Sequence, residues 1–322
     1  MNKKLLLVAA ATMMLVACKN GQNEPEQQEP VTKQQAMKTY FAAPVAFNGT
    51  FVETSNALLY ATKSQSSPAP ARILGAETYP VITWTPQDGT WPIDLTVEYG
   101  TEGVIASDGL LHSGKMAIHA TGRFEQEGSE ITPSFTDFYV YGNILTAKQV
   151  IKNEGKNDNE NLVFDVKVDD GFLGEQKQLI YSEHTSRELI NGLQENGFMD
   201  PVVTTHTYSI TGWMKTESKI DSIPGCSVTI SEDEPMVIAV GDLYPTQGKL
   251  NIEFDKELSY TFQGIEVKYK SVDLVFTGKQ NGKYGAEVEI DYMVGSIEQT
   301  LQLSFLLDEN GIIPESITPI VE

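Results

Sequence analysis

From about Ile73 onward the chain turns to strand chemistry, with runs in which apolar and polar side chains alternate with a period of two and one helical interruption, and this constrains the fold more than any other feature. Alternation places one set of side chains on each face of an extended strand, so a chain that sustains it builds sheets with one face buried. Ile93-Asp94-Leu95-Thr96-Val97-Glu98-Tyr99 and Leu162-Val163-Phe164-Asp165-Val166-Lys167-Val168 carry the pattern, as do Ile265-Glu266-Val267-Lys268-Tyr269 and the run from Ala286 to Tyr292. Between such runs stand Gln87-Asp88-Gly89, Ser107-Asp108-Gly109, Tyr141-Gly142-Asn143, Asp169-Asp170-Gly171, Gln280-Asn281-Gly282 and Glu309-Asn310-Gly311. Asn-Gly and Asp-Gly accept the positive φ of tight turns that match strand twist, so these triplets read as hairpin turns. The expected fold class is all-β, an antiparallel sandwich or strongly curved sheets, with a short helical N-terminal element. The long connection from Ser182 to Pro201 speaks against a single closed barrel. Within it, Ser186 as a cap and Gly197 as a stop predict a helix over about 186–193.

Ahead of the strands, Thr54-Ser55-Asn56 followed by Ala57-Leu58-Leu59-Tyr60-Ala61 predicts a short capped helix. Pro44 and Gly49 argue against one long helix through the region. The Ser/Pro-rich stretch from Ser64 to Ala71 reads as a linker. Residues 36–72 thus form a short helical and loop segment, and the β region divides softly into 73–220 and 221–322. Gly114-Lys115-Met116-Ala117-Ile118 follows Pro92-Ile93 much as Gly248-Lys249-Leu250-Asn251-Ile252 follows Pro235-Met236. That echo fits either two related halves or shared hairpin chemistry.

The N-terminus says where such a protein would reside. Lys3 and Lys4 precede an apolar run from Leu5 to Val16, too short for a comfortable membrane span and fitting a secretory signal peptide. Its ending, Leu15-Val16-Ala17-Cys18, resembles the bacterial lipobox. The resemblance implies removal of residues 1–17 and acylation of Cys18, with palmitate among the chains added. Residues 19–35 are polar and rich in Gln, Glu and Pro, a composition that cannot bury enough surface to offset chain entropy, so residues 18–35 read as the lipidated Cys and a flexible tether. The formal net charge of −21 repels nucleic acid and anionic headgroups, leaving the lipid on Cys18 as the membrane attachment. With Cys18 acylated, Cys226 is the remaining thiol, which excludes an intramolecular disulfide and reads as a small core or turn residue.

A family resemblance enters between Trp91 and Val168. Its carriers are Pro92-Ile93-Asp94-Leu95-Thr96-Val97-Glu98-Tyr99-Gly100, Ser113-Gly114-Lys115-Met116-Ala117-Ile118, Thr121-Gly122-Arg123-Phe124, Phe135-Thr136-Asp137-Phe138-Tyr139-Val140-Tyr141-Gly142-Asn143 and Asn161-Leu162-Val163-Phe164. In this order they resemble a group of uncharacterised Bacteroidetes-type lipoproteins. The resemblance implies an exported, lipid-anchored, β-rich protein and supplies no activity and no functional residues.

Signals of chemistry are sparse. His112, His119, His184 and His206 show no His-x-x-x-His spacing, and His119 reads as a solvent-facing strand residue. Asn157-Asp158-Asn159-Glu160-Asn161 and Glu232-Asp233-Glu234 offer oxygen ligands but lack the calcium-loop pattern and read as solvated turns. A nucleophile elbow, a phosphate-binding loop and a dinucleotide fingerprint are all missing, so no catalytic residue, metal or cofactor is assigned. Trp84, Trp91, Tyr139 and Tyr141 are candidate ligand-contacting aromatics, since ring faces stack on the C–H patches of sugars. The competing reading is that aromatics pair across strands and fill β cores. Asp221-Ser222-Ile223 resembles an O-glycosylation acceptor, with Ser222 as the modified residue. The expectation is a lipid-anchored protein of the cell envelope, at the outer membrane, acting as a non-enzymatic binding module for a glycan or protein. The alternatives are a glycan- or peptide-acting envelope enzyme and a periplasmic carrier of lipids or lipoproteins.

Overall fold

The computed structural model describes residues 42–65, 80–175, 178–194, 198–200, 202–219, 224–242, 244–262, 265–294, 297–308, 311–312 and 318–320. The expected signal peptide, Cys18, the tether, most of the Ser/Pro linker, Ser222 and the Glu309-Asn310 turn lie outside the described residues. Among the described residues the chain is all-β with one long helix, and it forms two compact units, residues 43–210 with 238–242 and residues 211–237 with 243–322.

In the first unit, helix α1 (Ala42–Gln65) precedes strands β1 (Val81–Thr85), β2 (Ile93–Ile105), β3 (Leu111–Ala120), β4 (Glu130–Val140), β5 (Asn143–Lys156), β6 (Leu162–Leu173) and β7 (Leu179–Asn191). Each strand pairs antiparallel with the next in sequence, a meander stitched by short turns. At the β4–β5 turn, Tyr141 and Gly142 both take positive φ, as the Tyr-Gly-Asn triplet requires. Asp169-Asp170-Gly171 is not a hairpin turn. It lies inside β6, where Asp170 takes a φ of 50° and the register against β7 shifts between Val168 and Gly171. The same turn chemistry here makes a β-bulge.

Helix α1 is longer than expected. Pro44 falls in its first turn, where a missing N–H leaves no hydrogen bond unmade. Gly49 lies against the β2–β3 turn, where a Cβ would run into the Asp108 carboxylate and Leu110. The helix has little amphipathic period because the sheet meets it on nearly every side: Ala43, Phe47, Phe51, Leu58 and Ala61 are fully buried, and so are Thr50 and Thr54. Phe47 stacks on Tyr181 of β7 at 4.7 Å, and Phe51 meets Phe164 of β6 edge-on at 6.0 Å. Tyr60 meets Trp84 of β1, and Thr50 donates to Gln149 Oε1 of β5 at 2.8 Å. One helix therefore anchors strands across the whole meander.

The helix expected over 186–193 is instead the second half of β7. Tyr181, Glu183, Thr185, Arg187 and Leu189 all point inward and are buried, while Ser182, His184, Ser186 and Glu188 point outward. Three of the inward residues are polar, so hydropathy carries no alternation, and the four-residue interval between Glu183 and Arg187 mimics helix spacing.

The second unit contains the part of β8 (Thr207–Ser218) from Thr211 onward, with β9 (Cys226–Ile230), β11 (Gln247–Phe262), β12 (Ile265–Gln280), β13 (Lys283–Val294) and β14 (Ile297–Asp308). β10 (Met236–Ala239) contributes the pair Val237–Gln247, and β15 (Gly311–Ile312) and β16 (Thr318–Ile320) pair with β14. β8 pairs with β9, β9 with β11, and β11 to β14 form a meander with Asn281-Gly282 as a positive-φ hairpin turn. Ile252, Phe254, Leu274, Val288, Ile290 and Leu303 fill its inner face, each such residue contributing roughly 1.5–3 kcal/mol when fully buried. The Gly-Lys echo has a backbone cause. Gly114 and Gly248 both take positive φ where a Cβ would strike neighbouring backbone, the carbonyl of Asp137 and that of Pro235 respectively.

Candidate functional site

A cluster of ionisable groups sits where α1 meets the β2–β3 turn. Glu53 projects from the helix at 1 % exposure. Its Oε2 accepts from the Tyr99 hydroxyl of β2 at 2.9 Å, and its Oε1 accepts from the backbone N–H of Ser107 at 2.9 Å and of Asp108 at 3.3 Å. The turn that supplies these N–H groups is capped by Asp108, whose Oδ1 accepts from Leu110 N at 2.9 Å. The Asp108 Oδ2 lies 2.8 Å from His112 Nε2 of β3. The rings of His112, Tyr99 and Phe138 pack as a triangle with centroids 5.3–5.7 Å apart, and no partner for the His112 Nδ1 stands among the described residues. That geometry assigns the proton to Nε2, donated to Asp108.

Burial pushes the Glu53 carboxyl up to about 7, reinforced by the Asp108 carboxylate and opposed by His112, the Tyr99 hydroxyl and the Ser107 N–H. The Tyr99 hydroxyl is driven well above its usual range by burial and by Glu53. A carboxyl poised near neutrality beside an Asp–His pair has the components of acid–base chemistry. Access decides against that use: Tyr99 and His112 are fully buried and Glu53 nearly so.

A second buried network lies on β7. Glu183 Oε1 accepts from Arg187 Nη2 at 2.7 Å and from the Thr185 hydroxyl, while its Oε2 accepts from the Tyr181 hydroxyl at 3.0 Å. Arg187 also donates from Nη1 to Asn48 Oδ1 of α1 at 2.8 Å and lies 4.4 Å from the Phe51 ring centroid. Every strong donor and acceptor is taken, so this network fixes the helix to the sheet.

The sequence singled out none of Glu53, Tyr99, Glu183 or Arg187, and took Asp108 for an ordinary turn residue. These groups come from distant stretches with no shared spacing. The four candidate aromatics do not converge. Trp84 faces inward against Tyr60 at 9 % exposure, and Trp91 is half-buried in the β1–β2 connection. Tyr139 and Tyr141 are half-buried near the opposite ends of the strands. The pairs Trp84–Leu95, Leu95–Ile118 and Ser113–Tyr139 set Trp84 and Tyr139 five residues apart along β3, about 17 Å.

The histidines are equally dispersed. His119 is exposed and bonds Asp94 at 2.7 Å, and His184 bonds Asp165 at 2.7 Å. Burial lowers the pKa of His206, whose Nε2 lies 2.8 Å from the Asp200 carbonyl oxygen. Asn157 caps its own turn through the N–H groups of Asn159 and Asn161, and the amides of Asn157 and Asn161 both donate to Glu188. Glu232, Asp233 and Glu234 are exposed between β9 and β10. Cys226 is buried on β9, and burial, with Asp255 nearby, pushes its thiol up to about 12. No family model, curated protein or solved structure matches the chain.

Proposed function

We propose that the chain is a lipid-anchored cell-envelope protein, held at the outer membrane through Cys18, that works as a non-enzymatic binding module for a glycan or protein. The lipobox-like ending at Cys18, the polar tether and the resemblance to Bacteroidetes-type lipoproteins support the location. The binding role rests on one observation. The two ionisable clusters at α1 are closed to solvent, with Glu53, His112, Glu183 and Arg187 all at 2 % exposure or less. Reaction chemistry needs groups that a substrate can touch, so recognition falls to the outer faces of the sheets. A carrier of acyl chains needs an open apolar interior, and in the first unit α1 occupies the inner face of the sheet.

Metabolic labelling with an alkynyl palmitate, combined with protease treatment of intact cells, tests the reading. The expected result is a labelled chain whose label disappears in Cys18→Ala, with the folded part digested on intact cells while a periplasmic control survives. An unlabelled wild-type chain would overturn the anchor, and turnover of an envelope polymer by the purified chain would overturn the non-enzymatic role.

A further inference from the structure

The outer face of the second unit carries a row of side chains that the aromatic candidates missed. Cross-strand pairing places Trp213 of β8 opposite Thr229 of β9, Thr229 opposite Asn251 of β11, and Asn251 opposite Asp273 of β12. Asp273 in turn faces Glu289 of β13, and Glu289 faces Gln302 of β14. Directly paired residues share a face, and all six point away from the core. Trp213 leaves 44 % of its surface in solvent. It is the exposed member of the three tryptophans, since Trp84 and Trp91 are buried and half-buried.

We propose that this row, Trp213–Thr229–Asn251–Asp273–Glu289–Gln302, is the contact strip for an extended, neutral glycan. The inference rests on the binding-module reading and names the ligand class and the surface. An exposed indole offers a flat apolar face to a pyranose ring. The remaining side chains offer the groups that hydroxyls need, and they are held in position. Asn251 Nδ2 donates to Asp273 Oδ1 at 2.8 Å, Lys249 Nζ lies 2.7 Å from Asp273 Oδ2, and Gln302 Nε2 donates to Glu289 Oε1 at 3.0 Å.

Asp273 faces Glu289 across neighbouring strands, and Lys249, 2.7 Å from Asp273, offsets the repulsion of that pair. Sugar hydroxyls can donate to the remaining lone pairs of the two carboxylates without adding charge. Charge also narrows the ligand: a chain of net charge −21 repels polyanions, which leaves uncharged polysaccharides. A cationic peptide would meet the same carboxylates, but it would also meet Lys249 and the amide N–H groups and would gain little from the amides. Five strand spacings of about 4.8 Å give a strip about 24 Å long, which suits roughly four or five pyranose rings laid across the strands.

Affinity electrophoresis of the detergent-solubilised full chain tests this, in native gels containing hydroxyethylcellulose, galactomannan, arabinoxylan or glycogen. At least one polysaccharide should retard the wild type. Trp213→Ala should weaken that retardation at least ten-fold with an unchanged far-UV circular dichroism spectrum, and Asn251→Ala/Gln302→Ala should weaken it less. Because Trp213 is exposed, its removal leaves the core intact. The proposal is overturned if no polysaccharide retards the wild type, if Trp213→Ala binds as the wild type does, or if a parallel gel containing polylysine is the one that retards the chain in a Trp213-dependent way. Turnover assays on the same chain separate the two failures: turnover of an envelope polymer overturns the binding-module reading, whereas an inactive chain that binds none of these glycans sinks this inference alone.

Discussion

Arg187 and Glu183 meet as an ion pair inside the first unit, Nη2 to Oε1 at 2.7 Å, with neither side chain more than 1 % exposed. Two residues on one face of β7 thus carry opposite charges into a space otherwise lined by Phe47, Phe51 and Tyr181. Removing one partner strands the other as an uncompensated buried charge. Arg187→Met should therefore cost about 3–5 kcal/mol, read as a lower urea midpoint. Arg187→Met/Glu183→Gln should recover part of that loss. A single variant as stable as the wild type would refute the network as the tie between α1 and β7.

Gly49 is required by space rather than by backbone freedom. It sits in α1, where alanine would ordinarily be preferred by about 1 kcal/mol. At this position the new methyl would meet the Asp108 carboxylate and Leu110. Asp108 cannot retreat cheaply, because Leu110 N and His112 both hold it. Gly49→Ala should destabilise by about 1–3 kcal/mol. A thermal melt showing higher stability would mean that the turn yields.

The sheets were legible in the sequence wherever the inner face is apolar. Ile93, Leu95, Val97 and Tyr99 announce β2 because each is buried and each polar neighbour is not. β7 escaped because Glu183, Thr185 and Arg187 replace apolar residues on its inner face, and periodicity in hydropathy cannot register a polar interior. Of helix α1 only residues 54–61 were legible: Pro44 and Gly49 read as breakers, and a helix buried on nearly every side has no polar stripe to set its full period. The Glu53 cluster unites residues 53, 99, 108 and 112, and only the docking of α1 on the β2–β3 turn brings them together. The row on the second unit was hidden likewise, since its six residues come from six different strands and only their pairing brings them together.

Cys226 supplies a probe of the second unit. Its thiol is buried and pushed up to about 12, so the reactive thiolate is scarce at pH 8. In a chain whose Cys18 is acylated or replaced by Ser, a disulfide reagent such as dithionitrobenzoate should label nothing while the fold persists. Labelling should become complete in denaturing urea. Rapid labelling of the native chain would place Cys226 in a segment that opens locally.

Glu53 gives the first unit a distinctive pH dependence. The groups facing it are Tyr99 from β2, Asp108 from the β2–β3 turn and His112 from β3. Its carboxyl titrates near 7 in the folded chain, against 4.5 as the ordinary value, so the folded state binds this proton more tightly than the unfolded state does. Stability from Glu53 is therefore fully present below about pH 4.5 and is lost as pH rises through about 7. The loss over that window is on the order of 3 kcal/mol. Glu53→Gln mimics the protonated carboxyl and removes the titration. The wild type and Glu53→Gln should have similar urea midpoints at pH 5 and diverge at pH 8, with the variant the more stable. Subtracting the two profiles cancels the repulsion among the many surface carboxylates, which falls on both chains alike. A flat difference between pH 5 and pH 8 would show that the Glu53 carboxyl is ionised throughout, held by the N–H groups of Ser107 and Asp108 against its burial.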